Sequence, residues 1–157
     1  MDYKELAALA AEKHGLKPAL VMAICEVESG FNPLAARHEP AFRYIVQKSD
    51  KPRECSLATE INLQKTSFGM MQVMGATARE LGLKGWITSL VDPETGLEWG
   101  CRYLKDRVRK YGSLGVDAVI ASYNAGSPRY ENEKEGRFVN QGYVDKVKKA
   151  MEEAEEM

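Results

Sequence analysis

The chain has 157 residues, 22 of them Lys or Arg and 23 Asp or Glu, for a formal net charge of -1 at neutral pH. That length fits one domain with a core large enough to need no staples, and the charge balance carries no electrostatic footprint for nucleic acid. Cys25, Cys55 and Cys101 are too few and too widely spaced for a disulfide framework or a CxxC site, and His14 and His38 stand alone, so neither a metal nor a cofactor is expected.

Helical signals dominate from end to end. Residues 2–14 mix acids and bases among short apolar steps, which reads as an amphipathic helix with His14 as a cation at its C-terminus, and lacks the uninterrupted apolar run of a signal peptide. No stretch is long and apolar enough to cross a membrane, so synthesis in the cytoplasm is expected. A second helix, 18–29, opens on Pro18 and stops at Ser29-Gly30. Val21, Ile24 and Cys25 line one face at i, i+3 and i+4, and the i+7 position is Glu28. A carboxylate thus replaces the next core residue, in the last helical turn, where the helix end and apolar neighbours both oppose ionisation and raise its pKa. That suits a general acid; the plainer alternative is a frayed helix end whose carboxylate reaches water. Glu26 lies about 200° around the helix and reads as a solvated charge.

Residues 35–66 lack clean periodicity. Short helices are expected at 41–47 and 53–63, with a turn at Ser49-Asp50-Lys51-Pro52, and a segment of this length within a compact domain is more often functional or mobile than idle. Further helices follow at about 75–82, 93–111, about 114–123 and 140–155. In the longest, Asp92 is the N-cap and Pro93 the first position; Leu97, Cys101, Leu104, Val108 and Tyr111 form the expected buried stripe, and Arg102 to Lys110 read as a solvated face. Strand alternation is scarce, so the fold class is mainly α.

Four polar islands interrupt this background: ESGFNP at 28–33, SFGMMQVM at 67–74, ASYNAG at 121–126 and GYVDKV at 142–147. Gly69 permits close backbone approach, and the Gln72 amide can donate to and accept from a sugar. Met70, Met71 and Met74 read as a core face, or alternatively as an adaptable groove wall. Gly126 suits a left-handed helix cap, and Tyr143 shares a stripe with Val147, Ala150 and Met151 and, as a buried phenol, needs a partner.

In order and wording the islands resemble the soluble, lysozyme-like lytic transglycosylases, which cleave the glycan strands of bacterial peptidoglycan. The resemblance spans residues 18–147 and implies a single-domain lysozyme-like fold. It implies Glu28 as catalytic acid and base, Tyr143 as its partner, and substrate binding at Ser67, Met71, Gln72, Tyr123, Asn124 and Tyr143. The partners expected are peptidoglycan glycan strands, with no nucleic acid and no membrane, and the chain is expected to be a monomer acting on the cell wall, as a phage lysis or tail enzyme or a domain of an exported protein. Two departures stand out. Relatives commonly read M-P-A-T-A after the glutamine, where this chain has Met74-Gly75-Ala76-Thr77-Ala78, so a softer helix start is expected. Residues 35–66 are longer than in compact relatives and look like an insertion walling the groove. A goose-type lysozyme, which hydrolyses, is the nearest alternative and needs a second carboxylate, for which Glu39, Asp50, Glu54 and Glu60 are unranked candidates. A non-catalytic glycan-binding module is the other.

Overall fold

The computed structural model describes residues 1–156. Seven helices carry them: α1 (Tyr3–Lys13), α2 (Pro18–Ser29), α3 (Leu57–Gln64), α4 (Gly75–Glu80), α5 (Pro93–Tyr111), α6 (Val116–Ala125) and α7 (Gln141–Glu155). Strands are short: β1 (Ala36–His38), β2 (Thr66–Phe68) and β3 (Val73–Met74) form one antiparallel sheet, and β4 (Tyr130–Asn132) pairs with β5 (Arg137–Phe138). The architecture is mainly α and lysozyme-like.

Helix α2 is the central post, packed against α7 and α1. Its Val21, Ile24 and Cys25 are fully buried, as the apolar stripe requires, while Glu26 is exposed and Glu28 half-buried. Gly30 caps it in the left-handed region at φ 60°, a conformation that favours glycine.

Helix α5 starts where its cap dictates, with the Asp92 carboxylate accepting from the Thr95 N–H at 3.0 Å. Leu97, Cys101 and Leu104 are buried as expected, but Val108 is exposed and Arg107 is buried in its place. The reason is a second packed face, Gly96, Gly100, Tyr103 and Arg107. A Cβ at Gly96 would sit 2.5 Å from the Leu90 carbonyl oxygen, and one at Gly100 would sit 2.3 Å from the Met71 sulfur. Arg107 lies over the rings of Tyr103 (4.9 Å) and Tyr111 (5.5 Å) and donates to the Gly126 carbonyl at the end of α6, where a cation meets the negative helix end. The basic run on α5 is therefore not wholly solvated.

The 35–66 segment differs most from its sequence reading. No helix forms at 41–47, and the second begins only at Leu57, where the Ser56 hydroxyl accepts from the Thr59 N–H at 3.1 Å. Its far side is held by a buried polar network. Arg79 of α4 donates to both Glu60 oxygens at 2.9 Å, and the Gln64 amide donates to Glu60 Oε2 at 2.9 Å. Arg79 and Glu60 side chains are each 1% exposed. The start of α4 is correspondingly tight: a Cβ at Gly75 would lie 2.2 Å from the Leu63 carbonyl oxygen. Gly75 is where α3 lies against α4, so the helix there begins on a packed junction rather than a soft end.

Candidate active site

Two adjoining cavities, of about 560 and 590 Å³, share Glu28, Arg37 and Asn124. Glu28 therefore stands at the junction of a long open cleft. One arm is walled by residues of the 35–66 segment and the loop after α6, the other by α7 with Tyr143, Lys146 and Lys149.

The Tyr143 hydroxyl donates to Glu28 Oε2 at 2.8 Å. Burial raises the Glu28 pKa above the ordinary carboxylate value, and the Tyr143 hydrogen bond and the Arg37 charge offset this only in part. Arg37 makes its ion pair elsewhere, 3.7 Å from Glu39. Burial and the Glu28 carboxylate push the Tyr143 phenol far up, so it stays a donor. The site thus holds a half-buried carboxyl that keeps its proton more readily than a solvated one and has a single oriented donor on one oxygen.

The first island and the residues just after it are tied by hydrogen bonds to the second, which is also braced within itself. The Ser29 hydroxyl donates to the Met70 carbonyl at 2.8 Å, the Gly69 N–H to the Ala35 carbonyl at 2.9 Å, and Gln72 Nε2 to the carbonyls of Ala35 (3.0 Å) and Gly69 (2.9 Å). Both islands carry a non-glycine residue at positive φ, Phe31 at 62° and Gln72 at 49°. Such strain persists only where surrounding bonds over-determine it, as they do here.

The residues read from sequence fall into three groups. Glu28, Ser67, Gln72, Tyr123 and Asn124 line the first cavity, and Tyr143 lines the second. Asn124 accepts from Asn140 Nδ2 at 3.0 Å through its oxygen. Tyr123 and Gln72 are partly committed to the scaffold: the Tyr123 hydroxyl donates to the Met71 carbonyl at 2.6 Å, and the Gln72 donor group is spent on backbone, leaving its oxygen as acceptor. Met71 requires correction, because its side chain is fully buried against Gly100 and lines neither cavity. It supports the floor by packing, and Met74 reaches the cleft instead.

Among the four carboxylates considered as a second acid or base, only Glu39 lines the cleft. Glu60 is locked to Arg79, and Asp50 and Glu54 are exposed away from either cavity. Sequence reasoning missed Tyr103, Arg37, Phe42 and Tyr44, all lining the first cavity. For Tyr103 a signal existed: Gly96, Gly100, Tyr103 and Arg107 recur at helical spacing on α5. For the others there was no period to read.

Residues 5–143 match the transglycosylase SLT domain. The chain is 30% identical over 138 residues to the membrane-bound lytic murein transglycosylase C of Edwardsiella ictaluri, an alignment covering 80% of this chain and 31% of that protein. It is 29% identical over 139 residues to the protein of the same name from Pectobacterium atrosepticum, at the same coverage. The chain thus spans about a third of the length of the curated relatives it matches. Among the described residues no helix is long and apolar enough to cross a membrane. With the four islands converging on one cleft and the match running from α1 to Tyr143, the chain belongs to the transglycosylase SLT domain family.

Proposed function

We propose that this chain cleaves the β-1,4 bond between N-acetylmuramic acid and N-acetylglucosamine in bacterial peptidoglycan, leaving 1,6-anhydromuramoyl ends. The observation that carries the reading is Glu28 itself, half-buried, held at 2.8 Å by one phenol and standing where two cavities meet. Protonated Glu28 gives its proton to the glycosidic oxygen as the C1–O bond breaks. The resulting carboxylate then removes the proton of the muramoyl 6-hydroxyl as that oxygen bonds to C1, which returns Glu28 to its starting form. One carboxyl serves both steps because the nucleophile belongs to the substrate, unlike the two-carboxyl arrangement of most glycosidases. The same reading takes the chain as a monomer acting on cell-wall glycan strands.

A hydrolytic reading draws support from one residue, since Glu39 lines the same cavity and offers a base for water. Product mass separates the two. Muropeptides released from purified peptidoglycan are expected to be lighter than hydrolysis products by one water and to resist borohydride reduction. Hydrated, reducible muramic ends as the main product would replace the transglycosylase reading with hydrolysis and turn attention to Glu39.

A further inference from the structure

The run from residue 39 to 46 has no helix or strand, yet it is firmly held. The Glu39 N–H donates to the Lys65 carbonyl at 2.8 Å, and at the other end the Val46 backbone is gripped twice by Gln64, whose Oε1 accepts from the Val46 N–H at 2.7 Å and whose Nε2 donates to the Val46 carbonyl at 3.1 Å. Gln64 is 1% exposed and is fixed in turn by Glu60, which is fixed by Arg79. Buried ionic and polar groups of this kind stabilise no better than apolar residues of similar volume. Arg79 also donates to the carbonyls of Leu83 (2.8 Å) and Gly85 (2.6 Å), so one end of the network holds the turn after α4 and the other, through Gln64, clamps this irregular loop.

That loop carries Phe42 and Tyr44 into the wall of the Glu28 cleft. Tyr44 is 76% exposed, and Phe42 meets its ring edge-on with centroids 5.7 Å apart and planes at 74°. A lone exposed aromatic needs no explanation. An exposed ring propped by a second ring, in the lining of a catalytic cleft, on a loop clamped by buried polar side chains, has the properties of a pre-organised binding surface.

We propose that Tyr44, backed by Phe42, is a sugar-stacking subsite, and that Gln64, fixed by Glu60 and Arg79, holds its loop in place. The ligand class is the pyranose ring of an N-acetylhexosamine in a β-1,4 strand: one apolar C–H face lies on the Tyr44 ring, and the phenol oxygen meets the ring substituents. The subsite rests on the glycan-cleaving reading above, and it makes Tyr44 a determinant of strand length rather than of bond cleavage.

The test is calorimetric binding of the β-1,4 hexamer of N-acetylglucosamine in a Glu28→Gln background, which prevents turnover. Tyr44→Ala is expected to weaken binding by about tenfold, since stacking covers one face of an aromatic side chain, while Tyr44→Trp keeps the affinity. Gln64→Met, which removes both bonds to Val46, is expected to weaken binding similarly. Added to Tyr44→Ala it should cost little more, because both changes remove one subsite. Additive losses would overturn the clamp. Equal hexamer affinity with and without Tyr44→Ala would overturn the subsite alone, whereas no hexamer binding by the Glu28→Gln protein would overturn the subsite and the glycan-cleaving reading together.

Discussion

Two glutamates, Glu28 at the end of α2 and Glu60 in α3, are both withdrawn from water, and their carboxyls behave oppositely. Burial pushes each pKa up. At Glu60 the hydrogen bonds and charge of Arg79, with bonds from Gln64 and Ser49, outweigh burial and hold the carboxyl below its ordinary value. At Glu28 a neutral phenol and an Arg37 committed to Glu39 do not, and the pKa stays raised. Burial alone therefore does not make an acid catalyst. What separates the two is a full cation in bidentate contact, which turns one carboxylate into structure and whose absence leaves the other able to hold and release a proton.

The largest expected effect breaks the Glu28 side of this comparison. Glu28→Gln should remove almost all turnover of purified peptidoglycan, because a carboxamide is far too weak an acid to protonate the leaving oxygen. It should not destabilise the fold. A carboxyl whose folded pKa is raised contributes its stability below the unfolded pKa and loses it as pH rises through the folded pKa, so wherever Glu28 is ionised in the folded state it is a strain that glutamine lacks. The melting temperature at pH 7 should be equal or higher. A clear fall in melting temperature would mark Glu28 as structural.

The Glu60 side should respond the other way. Arg79→Leu leaves a buried carboxylate without its cation and should destabilise the fold by about 3–5 kcal/mol, whereas Arg79→Met with Glu60→Met should recover most of the loss. Since the folded Glu60 pKa is depressed, the pair contributes stability above the unfolded pKa, and that contribution is lost as pH falls through the folded value. Urea titrations of both variants at neutral and acid pH check the sign.

The same contrast governs what the sequence could reveal. Helices α2 and α5 run over the residues read from sequence because their ends are written locally, in Pro18 and Gly30 and in Asp92 and Pro93. Glu28 is visible as a break in an apolar stripe, and Tyr143 through the resemblance. Val108 and Arg107 exchanged places because the face of α5 is decided by the close approach of Gly96 and Gly100 to other backbone and side chains, which no periodicity records. The helix expected over 41–47 does not form, because the order of the loop from 39 to 46 comes from Gln64, eighteen residues beyond Val46. Contacts of that span leave no local trace, and they placed Phe42, Tyr44 and Arg37 at the cleft unannounced.

A smaller effect tests the junction between α3 and α4. Gly75→Ala places a Cβ 2.2 Å from the Leu63 carbonyl oxygen and 2.9 Å from its carbon. Both are backbone atoms, so no side-chain rotation relieves the clash, and a loss of about 1–3 kcal/mol is expected. Gly75→Pro should be at least as costly here, which gives a physical reason for the missing proline: α3 occupies the space its ring would need. Denaturant midpoints of the two variants measure this, and unchanged midpoints would show that α3 moves aside freely.

The finest change sharpens the description of the acid itself. Tyr143→Phe removes one hydroxyl from Glu28 Oε2 and leaves the ring. Because that bond stabilises the carboxylate, its loss should raise the Glu28 pKa further, with the desolvation that dominates the shift left in place. In the proposed mechanism cleavage begins from protonated Glu28, so activity is expected to fall as pH rises through its pKa. In Tyr143→Phe that falling limb should move to higher pH, even as the maximum rate drops because the carboxyl is no longer oriented. Arg37→Ala should move the limb in the same direction, since the Arg37 charge also lowers the pKa. A rate lowered equally at every pH, with the limb unmoved, would show that Tyr143 only packs beside Glu28 and that its hydroxyl has no hold on the proton.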